Sequence, residues 1–172
     1  MEIWDIYDKD RKLTGRTMVR GESFEAGDFH LVVHVCIFNN KGEMLIQQRQ
    51  PFKQGWSNMW DLTVGGSAIA GDTSQQAAER EVLEEIGYII NLHGVRPSFT
   101  VNFEVGFDDY YLVVEDIDIG ELTLQPEEVQ QVKWASRDEI MRMIDEGIFI
   151  PYHKSLINLL FDMRKYMGPR VP

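Results

Sequence analysis

The sequence predicts a single α/β domain over its 172 residues. Short β-branched and aromatic runs are typical of strands, few segments have helical periodicity, and no linker, repeat or low-complexity tract divides residues 1–172. A chain of this length can bury a core of its own. The mixture of hairpins with few helices argues against a regular strand–helix alternation around a parallel sheet.

The N-terminal part is predicted to hold an extension followed by a hairpin. Residues 1–29 form an N-terminal extension or edge segment, with a turn at Thr14-Gly15. The run His30–Phe38 is rich in β-branched and aromatic residues, which favours a strand buried on both faces. A turn over residues 39–42 leads to Glu43–Arg49, which we expect to be the partner strand of a hairpin.

The clearest predicted helix begins after Thr73. Thr73 and Gln76 have the spacing of a capping box, and Gly87 stands where a helix C-terminal glycine is common. Ala78 and Val82 belong to an apolar stripe that repeats every four residues. The remaining predicted elements are strands at 98–105, 109–114 and 130–135 and helices at 136–144 and 152–166.

Composition excludes several classes of protein. The 17 Lys and Arg against 28 Asp and Glu give a net charge of −11, which argues against broad binding to nucleic-acid polymers or anionic membranes. The single cysteine, Cys36, rules out an internal disulfide framework. No apolar run approaches the length of a membrane-spanning helix, which needs about 18 consecutive apolar residues. The N-terminus lacks the apolar core of a signal peptide, so we expect a cytoplasmic protein.

Three glutamates gather on one side of the helix after Thr73. Glu81, Glu84 and Glu85 are helical neighbours at spacings of three and four, and like charges this close destabilise a helix. A divalent cation such as Mg²⁺ or Mn²⁺ can offset the repulsion, because these ions prefer carboxylate oxygens. The pair Gly65-Gly66 lets the backbone approach an ion or a phosphate closely. An acidic solvated face explains the glutamates but not the glycine pair, the cap and Arg80 together.

The 23 residues from Gly66 to Tyr88 resemble the signature of the Nudix hydrolase family, G-x5-E-x7-R-E-U-x-E-E-x-G-U, with U a bulky aliphatic residue. Gly66 begins the match, and REVLEE over 80–85 fills its centre. Asp72 replaces the family's first glutamate and Tyr88 fills the last aliphatic position. In the family that glutamate helps to tie the loop to the helix, so the shorter Asp72 puts the tie in question.

The resemblance implies an α/β/α sandwich with a mixed β-sheet, in which the box over residues 66–88 forms a loop-helix-loop. It also implies hydrolysis of a diphosphate linkage in a nucleoside diphosphate derivative or a similar small molecule, with Mg²⁺ or Mn²⁺ as cofactor. Dimers are frequent in the family, which makes a homodimer a further expectation.

Motif position assigns the roles inside the box. The implied metal ligands are Glu81, Glu84 and Glu85, assisted by the Gly66 carbonyl. The implied catalytic residues are Glu81, Glu84 and Arg80, with Arg80 orienting the glutamates through charge-assisted hydrogen bonds. Glu81 is the favoured general base.

Residues outside the box complete the predicted site. Glu128 is a candidate metal ligand and the competing general base; its neighbour Glu127 and the pair Asp108-Asp109 are further acidic candidates. Arg49 and Lys53 precede the box and are candidate phosphate-binding residues. The candidate stacking residues for a substrate ring are Trp60 and Trp56, although large aromatic residues more often lie in a core.

Two alternative functions remain at this point. The region before the box also resembles the type 1 isopentenyl-diphosphate isomerase branch, in which the strand histidine at the place of His30 is a metal ligand. That branch carries a catalytic cysteine and a metal histidine where this sequence has Val64–Ser67, and Cys36 does not match. The other alternative is a non-catalytic nucleotide-binding Nudix module, which Asp72 alone supports.

Overall fold

The computed structural model describes residues 2–170 and contains nine strands and three α-helices in that range. The elements are β1 (Ile3–Tyr7), β2 (Leu13–Val19), β3 (His30–Phe38), β4 (Met44–Arg49), β5 (Trp60–Asp61), β6 (Val64–Ser67), α1 (Ser74–Ile86), β7 (Phe99–Phe103), β8 (Gly106–Val114), β9 (Val129–Ala135), α2 (Arg137–Asp145) and α3 (Lys154–Met163). A 3₁₀ turn over Ile119–Glu121 precedes β9. No helix among the described residues is long and apolar enough to cross a membrane.

Seven strands form one mixed sheet with β3 at its centre. Strand β3 runs parallel to β8 along its whole length and antiparallel to β6, while β4 pairs with β5 and β9. The predicted hairpin of β3 and β4 is correct only at its base, where Phe38 lies opposite Met44. The two strands separate beyond that pair because β8 and β6 flank β3 while β9 takes the edge of β4, which sequence proximity alone does not indicate.

The sheet lies between helices, as the resemblance implied. On one face Val33 and Val35 of β3 pack in a buried cluster with Ala78 and Val82 of α1. On the other face Cys36 and its neighbours belong to a second cluster that includes buried side chains of α2 and α3. Alternate residues of β3 thus supply both cores, which confirms the prediction that this strand is buried on both faces.

Strands β1 and β2 form a separate two-stranded antiparallel sheet at the N-terminus. The turn between them lies at residues 8–12, so the predicted turn at Thr14-Gly15 is wrong, and both of those residues belong to β2. The side chain of Asp8 fixes the observed turn by accepting hydrogen bonds from the backbone N–H groups of Asp10 and Lys12, both at 2.9 Å. This is the turn-forming chemistry of an Asx residue.

Local signals place the helices well. Thr73 and Gln76 form both hydrogen bonds of the capping box, and Gly87 adopts the left-handed conformation, with φ 67°, at the end of α1. Ser136 caps α2 through a hydrogen bond from the backbone N–H of Glu139. Helix α3 runs from Lys154 to Met163 rather than over 152–166, because the backbone N–H of Tyr152 donates to the Ile150 carbonyl in a tight turn and His153 is the N-cap.

Candidate active site

A polar cavity of about 670 Å³ opens beside the helix that carries the glutamates. Four glutamates of its lining are here called the carboxylate cluster: Glu81, Glu84, Glu85 and Glu128. Three basic side chains that line it away from the helix are here called the cation cluster: Arg20, Arg49 and Lys53. The cavity is also lined by Glu2, Val32, His34, Trp56, Asp61, Gly65, Gly66, Ser67, Arg80, Gln125, Ile150, Pro151 and Tyr152.

The glycine pair at β6 makes room for two functional side chains. A Cβ atom on Gly66 would lie 2.3–2.6 Å from the carboxyl group of Glu81. A Cβ atom on Gly65 would lie 2.6 Å from Cδ2 and 2.8 Å from Nε2 of His34. Since no side chain tolerates contacts this short, only glycine permits Glu81 and His34 to approach the strand as they do.

Arg80 joins the loop to the helix. Its guanidinium donates to Asp72 Oδ2 at 3.0 Å, to Glu81 Oε1 at 2.8 Å and to the Ser67 carbonyl at 3.1 Å. Asp72 therefore makes the loop-to-helix contact despite being one methylene shorter than glutamate. Burial lowers the pKa of Arg80, but the charges of Glu81 and Asp72 outweigh it and the net change is upward.

The glutamates of α1 differ sharply in environment. Glu85 is only 5% exposed and accepts a hydrogen bond from Gln47 Nε2 at 2.7 Å, and its burial raises its pKa well above the ordinary value. Burial also raises the pKa of Glu81, although Arg80 opposes the shift. Glu84 is half exposed and pairs with Arg80 at 3.2 Å. The buried carboxylate of Glu85 and the partly buried carboxylate of Glu81 are costly to keep ionised without a cation.

Glu128 is the fourth member of the carboxylate cluster and is paired with Lys53. Glu127 is exposed and does not line the cavity. The carboxylate cluster fits a hard divalent cation, because it offers carboxylate oxygens at the cavity, where Glu81 packs directly against the backbone of Gly66. Within residues 2–170 no three acidic, histidine or cysteine side chains already stand in a metal-binding arrangement.

The two predicted phosphate-binding residues both reach the cavity. Arg49 donates from Nε to the Gly55 carbonyl at 3.1 Å, and its guanidinium lies 3.8 Å from Asp61. Lys53 is held by Glu128. Both cations thus stand beside carboxylates and keep donors for a ligand that approaches with metal.

The two tryptophans are placed differently. Trp56 lines the cavity and is 53% exposed, with a left-handed backbone at φ 52°. Trp60 is 9% exposed and belongs to the core on the side of α2 and α3, where Lys133 Nζ lies 4.7 Å from its ring centroid. Trp56, and not Trp60, is the tryptophan that a substrate ring can reach.

A polar group around His34 was missed by sequence reasoning. His34 Nδ1 lies 2.7 Å from Asp108 Oδ1, its Nε2 lies 3.4 Å from the Tyr152 hydroxyl, and Tyr152 donates to Asp61 at 2.8 Å. Burial lowers the pKa of His34, but Asp108 outweighs it and the net change is upward. The available signal was a histidine inside an otherwise apolar strand, since a buried polar group needs partners.

The other acidic and histidine candidates lie away from the cavity. Asp109 is fully buried and pairs with Arg11 of the N-terminal hairpin. His30 stacks on Trp4 with ring centroids 4.5 Å apart, and burial lowers its pKa to about 4. Cys36 is buried in the second core, and burial raises the pKa of its thiol.

A mixed sheet between helices, with a glycine pair leading into a capped helix that presents glutamates to a polar cavity, defines a Nudix-type fold and site. The family model for the NUDIX domain matches residues 28–154. The chain therefore belongs to the Nudix family, and it is a Nudix hydrolase.

Known proteins resemble the chain in sequence and in fold. An uncharacterized Nudix hydrolase of Listeria monocytogenes is 50% identical over 164 residues, which cover 95% of this chain and 96% of that protein. An isopentenyl-diphosphate Δ-isomerase of Pectobacterium atrosepticum is 29% identical over 78% of this chain and 76% of its own length. A crystal structure of a Deinococcus radiodurans protein covers 92% of this chain and 97% of that chain, with a TM-score of 0.72 at 20% identity, which shows the shared fold.

Proposed function

We propose that this protein hydrolyses the diphosphate linkage of a nucleoside diphosphate derivative, with Mg²⁺ or Mn²⁺ held by Glu81, Glu84, Glu85 and the Gly66 carbonyl and assisted by Glu128. The observation that carries the proposal is that the carboxylate cluster and the cation cluster line one cavity. Carboxylates that bind a cation and basic side chains that bind phosphate are the two requirements of a metal–diphosphate ligand.

The chain's own residues supply positioning and proton transfer. When bound, the divalent ion neutralises charge on the diphosphate and makes water a better nucleophile. Arg80 donates one hydrogen bond to Oε1 of Glu81, so the carboxylate keeps further lone pairs: one would hold the cation, and one on Oε2 takes the proton of the attacking water as general base. Arg49 and Lys53 bind the phosphoryl oxygens and orient the reacting bond.

The lining favours a polar substrate over a prenyl chain. Only Val32, Trp56, Ile150 and Pro151 are apolar among the residues around the cavity. A nucleobase can stack on the exposed face of Trp56 while its diphosphate lies among charged groups. A long aliphatic chain has no comparable apolar pocket here.

Isomerisation of isopentenyl diphosphate is the second candidate because some relatives carry the name of that isomerase. The reaction moves protons on carbon and, in the branch that the sequence resembles, uses a cysteine. Cys36 is fully buried in the core and does not line the cavity. His30 is likewise enclosed by aromatic rings.

The test is a phosphate-release panel of nucleotide sugars, dinucleoside polyphosphates and nucleoside triphosphates, with isopentenyl diphosphate assayed in parallel for isomerisation. We expect phosphate or nucleoside monophosphate release that requires Mg²⁺ or Mn²⁺. Isomer without phosphate release would reverse the proposal in favour of the isomerase. Metal-dependent nucleotide binding without turnover of any compound would favour the non-catalytic module.

The base assignment has its own variant. Glu81→Gln removes the proton acceptor but keeps side-chain size, so we expect kcat to fall about 100-fold or more at saturating metal. Glu79→Gln is the matched control, because Glu79 lies on the same helix but contacts the backbone N–H of Leu92 instead of the cavity. Near-normal turnover of Glu81→Gln would transfer the role to Glu128.

Two coarser features complete the proposal. We propose a cytoplasmic location. The single cysteine of the sequence, Cys36, is free and buried, which is compatible with a reducing compartment. We also propose a homodimer, because dimers are frequent in the family, and size-exclusion chromatography with light scattering tests this.

A further inference from the structure

The N-terminal hairpin, β1 and β2 with the residues that flank them, lies outside the part of the chain that matches the family model. It is nevertheless attached to the domain at several points. Tyr7 and Phe29 exchange two backbone hydrogen bonds, at 2.8 and 3.0 Å. Arg11, in its turn, pairs with the buried carboxylate of Asp109. The hairpin is therefore held in a defined position on the domain.

The hairpin also contacts the loop of the Nudix box. The Ile3 carbonyl accepts a hydrogen bond from the backbone N–H of Ala70 at 2.8 Å. Asp5 Oδ2 accepts another from the backbone N–H of Gly71 at 2.7 Å. Ala70 and Gly71 directly precede Asp72, which ties this loop to Arg80. The position of the hairpin is thus fixed relative to the carboxylate cluster.

The end of the hairpin places one guanidinium at the cavity. Arg20 and Glu2 both line it, and their backbones are joined by a hydrogen bond of 3.0 Å from the Arg20 N–H to the Glu2 carbonyl. The Arg20 side chain donates from Nη1 to Glu2 Oε2 at 2.7 Å. Glu2 is itself held by Trp4, whose Nε1 donates to Oε1 at 2.7 Å. Among residues 2–170, Glu2 is the one carboxylate paired with Arg20, so other guanidinium donors remain for a ligand.

We propose that the N-terminal hairpin completes the substrate site and that Arg20 binds a phosphoryl group of the diphosphate substrate. The inference rests on the proposed function, since it takes the ligand to be a diphosphate with a divalent cation. Arg20 joins Arg49 and Lys53 at the cavity, and its fork of N–H donors matches phosphate oxygens. Hydrogen bonding to Glu2, and beyond it the charges of Glu128 and Glu81, raise the pKa of Arg20, so it faces the carboxylate cluster as a permanent cation.

The alternative is an ordinary surface ion pair of Arg20 with Glu2. The Arg20 side chain is 60% exposed, and such pairs add about 0–1 kcal/mol to stability. A contribution to stability therefore does not explain why an arginine stands at this position. The same fact makes substitution of Arg20 a clean test, because the fold does not depend on it.

The test measures binding of methylenediphosphonate, a non-hydrolysable diphosphate, by calorimetry at fixed Mg²⁺. We expect Arg20→Ala to weaken binding about tenfold and Arg20→Lys to weaken it less, because lysine keeps the charge but loses the fork. Glu2→Gln should tighten binding about two- to threefold, since the competing charge disappears while an oxygen remains for Trp4. The affinity for Mn²⁺ alone should be unchanged in Arg20→Ala.

Arg16→Ala is the matched control. Arg16 lies on β2, is half exposed and is paired with Asp28, but it does not line the cavity. Methylenediphosphonate affinity of Arg20→Ala within twofold of the unmodified protein, an equal loss in Arg16→Ala, or no binding by the unmodified protein would each overturn the inference. A hydrolysis panel without any cleaved compound would instead refute the proposed function, while the binding titration would still decide the role of Arg20.

Discussion

The carboxylate cluster and the cation cluster line the same cavity but are built in different ways. Three of the four carboxylates come from one turn and a half of α1, and their spacing follows from helical geometry. The three cations come from separate segments: the end of the N-terminal hairpin, strand β4 and the loop after it. A contiguous motif therefore reveals the chemistry of this site, whereas the groups that hold the substrate depend on the tertiary fold.

The largest effect is expected from Gly66→Ala, which tests how narrowly the carboxylate cluster is positioned. The added Cβ would lie 2.3–2.6 Å from the Glu81 carboxyl group, so that side chain has to move. Misplacement of a catalytic group by about 1 Å costs roughly 100-fold in rate, or about 2.7 kcal/mol. We expect kcat to fall by at least this order while the thermal midpoint changes little.

Gly120→Ala is the control for that experiment. Its Cβ would meet only Asp118, at 3.3 Å, and Gly120 does not line the cavity. Equal turnover in Gly66→Ala and Gly120→Ala would mean that Glu81 does not need its place beside the strand. The carboxylate cluster would then not require closer positioning than the cation cluster, which would contradict the contrast drawn between them.

The next effect concerns the anchor that positions part of the cation cluster. In Arg11→Ala the carboxylate of Asp109 stays buried and keeps only Thr100 and Ser74 as partners, at 2.6 and 2.5 Å. Leaving a buried acceptor undersatisfied costs about 1–3 kcal/mol, and we expect about 2 kcal/mol less free energy of unfolding in urea. Lys9→Ala, in the same turn but highly exposed, should change it by less than about 0.5 kcal/mol. A loss in Arg11→Ala no larger than that of the control would show that the hairpin is held by other contacts.

The sequence predicted those parts of the fold and site that local interactions determine. The capping box at Thr73, the left-handed Gly87 and the bounds of β3 follow from neighbours within one element, and the structure confirms them. The spacing of Glu81 and Glu85 likewise follows from the helix alone. Each of these features can be predicted without knowing what packs against it.

Features that depend on distant partners could not be predicted in this way. Strand β4 pairs along its whole length with β9, and their register joins residues eighty or more positions apart. Trp60 lies in a core because α2 and α3 cover it, and the sequence around Trp60 does not indicate whether its ring faces that core or the cavity. Arg20 looked like any polar residue of an N-terminal extension, and only the docking of the hairpin brings it to the cavity.

The smallest effect is a gain in stability from Glu85→Gln in metal-free protein. Glu85 is buried, and its pKa in the folded state lies above the ordinary value of 4.5. Folding therefore favours the protonated form, so the side chain does not oppose folding below pH 4.5 and opposes it increasingly as the pH rises towards the folded pKa. Glutamine is neutral at every pH and can still accept the hydrogen bond from Gln47.

We expect Glu85→Gln to raise the free energy of unfolding by about 1 kcal/mol at pH 7.5 in EDTA, and the difference to shrink towards zero at pH 4.5. Thermal unfolding at the two pH values measures it, with the half-exposed Glu84→Gln as a control that changes little. A loss of stability at pH 7.5, or a gain that persists at pH 4.5, would contradict the account. The expected result would distinguish the two clusters again: the buried carboxylate of Glu85 lowers the free energy of unfolding when no cation is bound, whereas the exposed Arg20 changes it little.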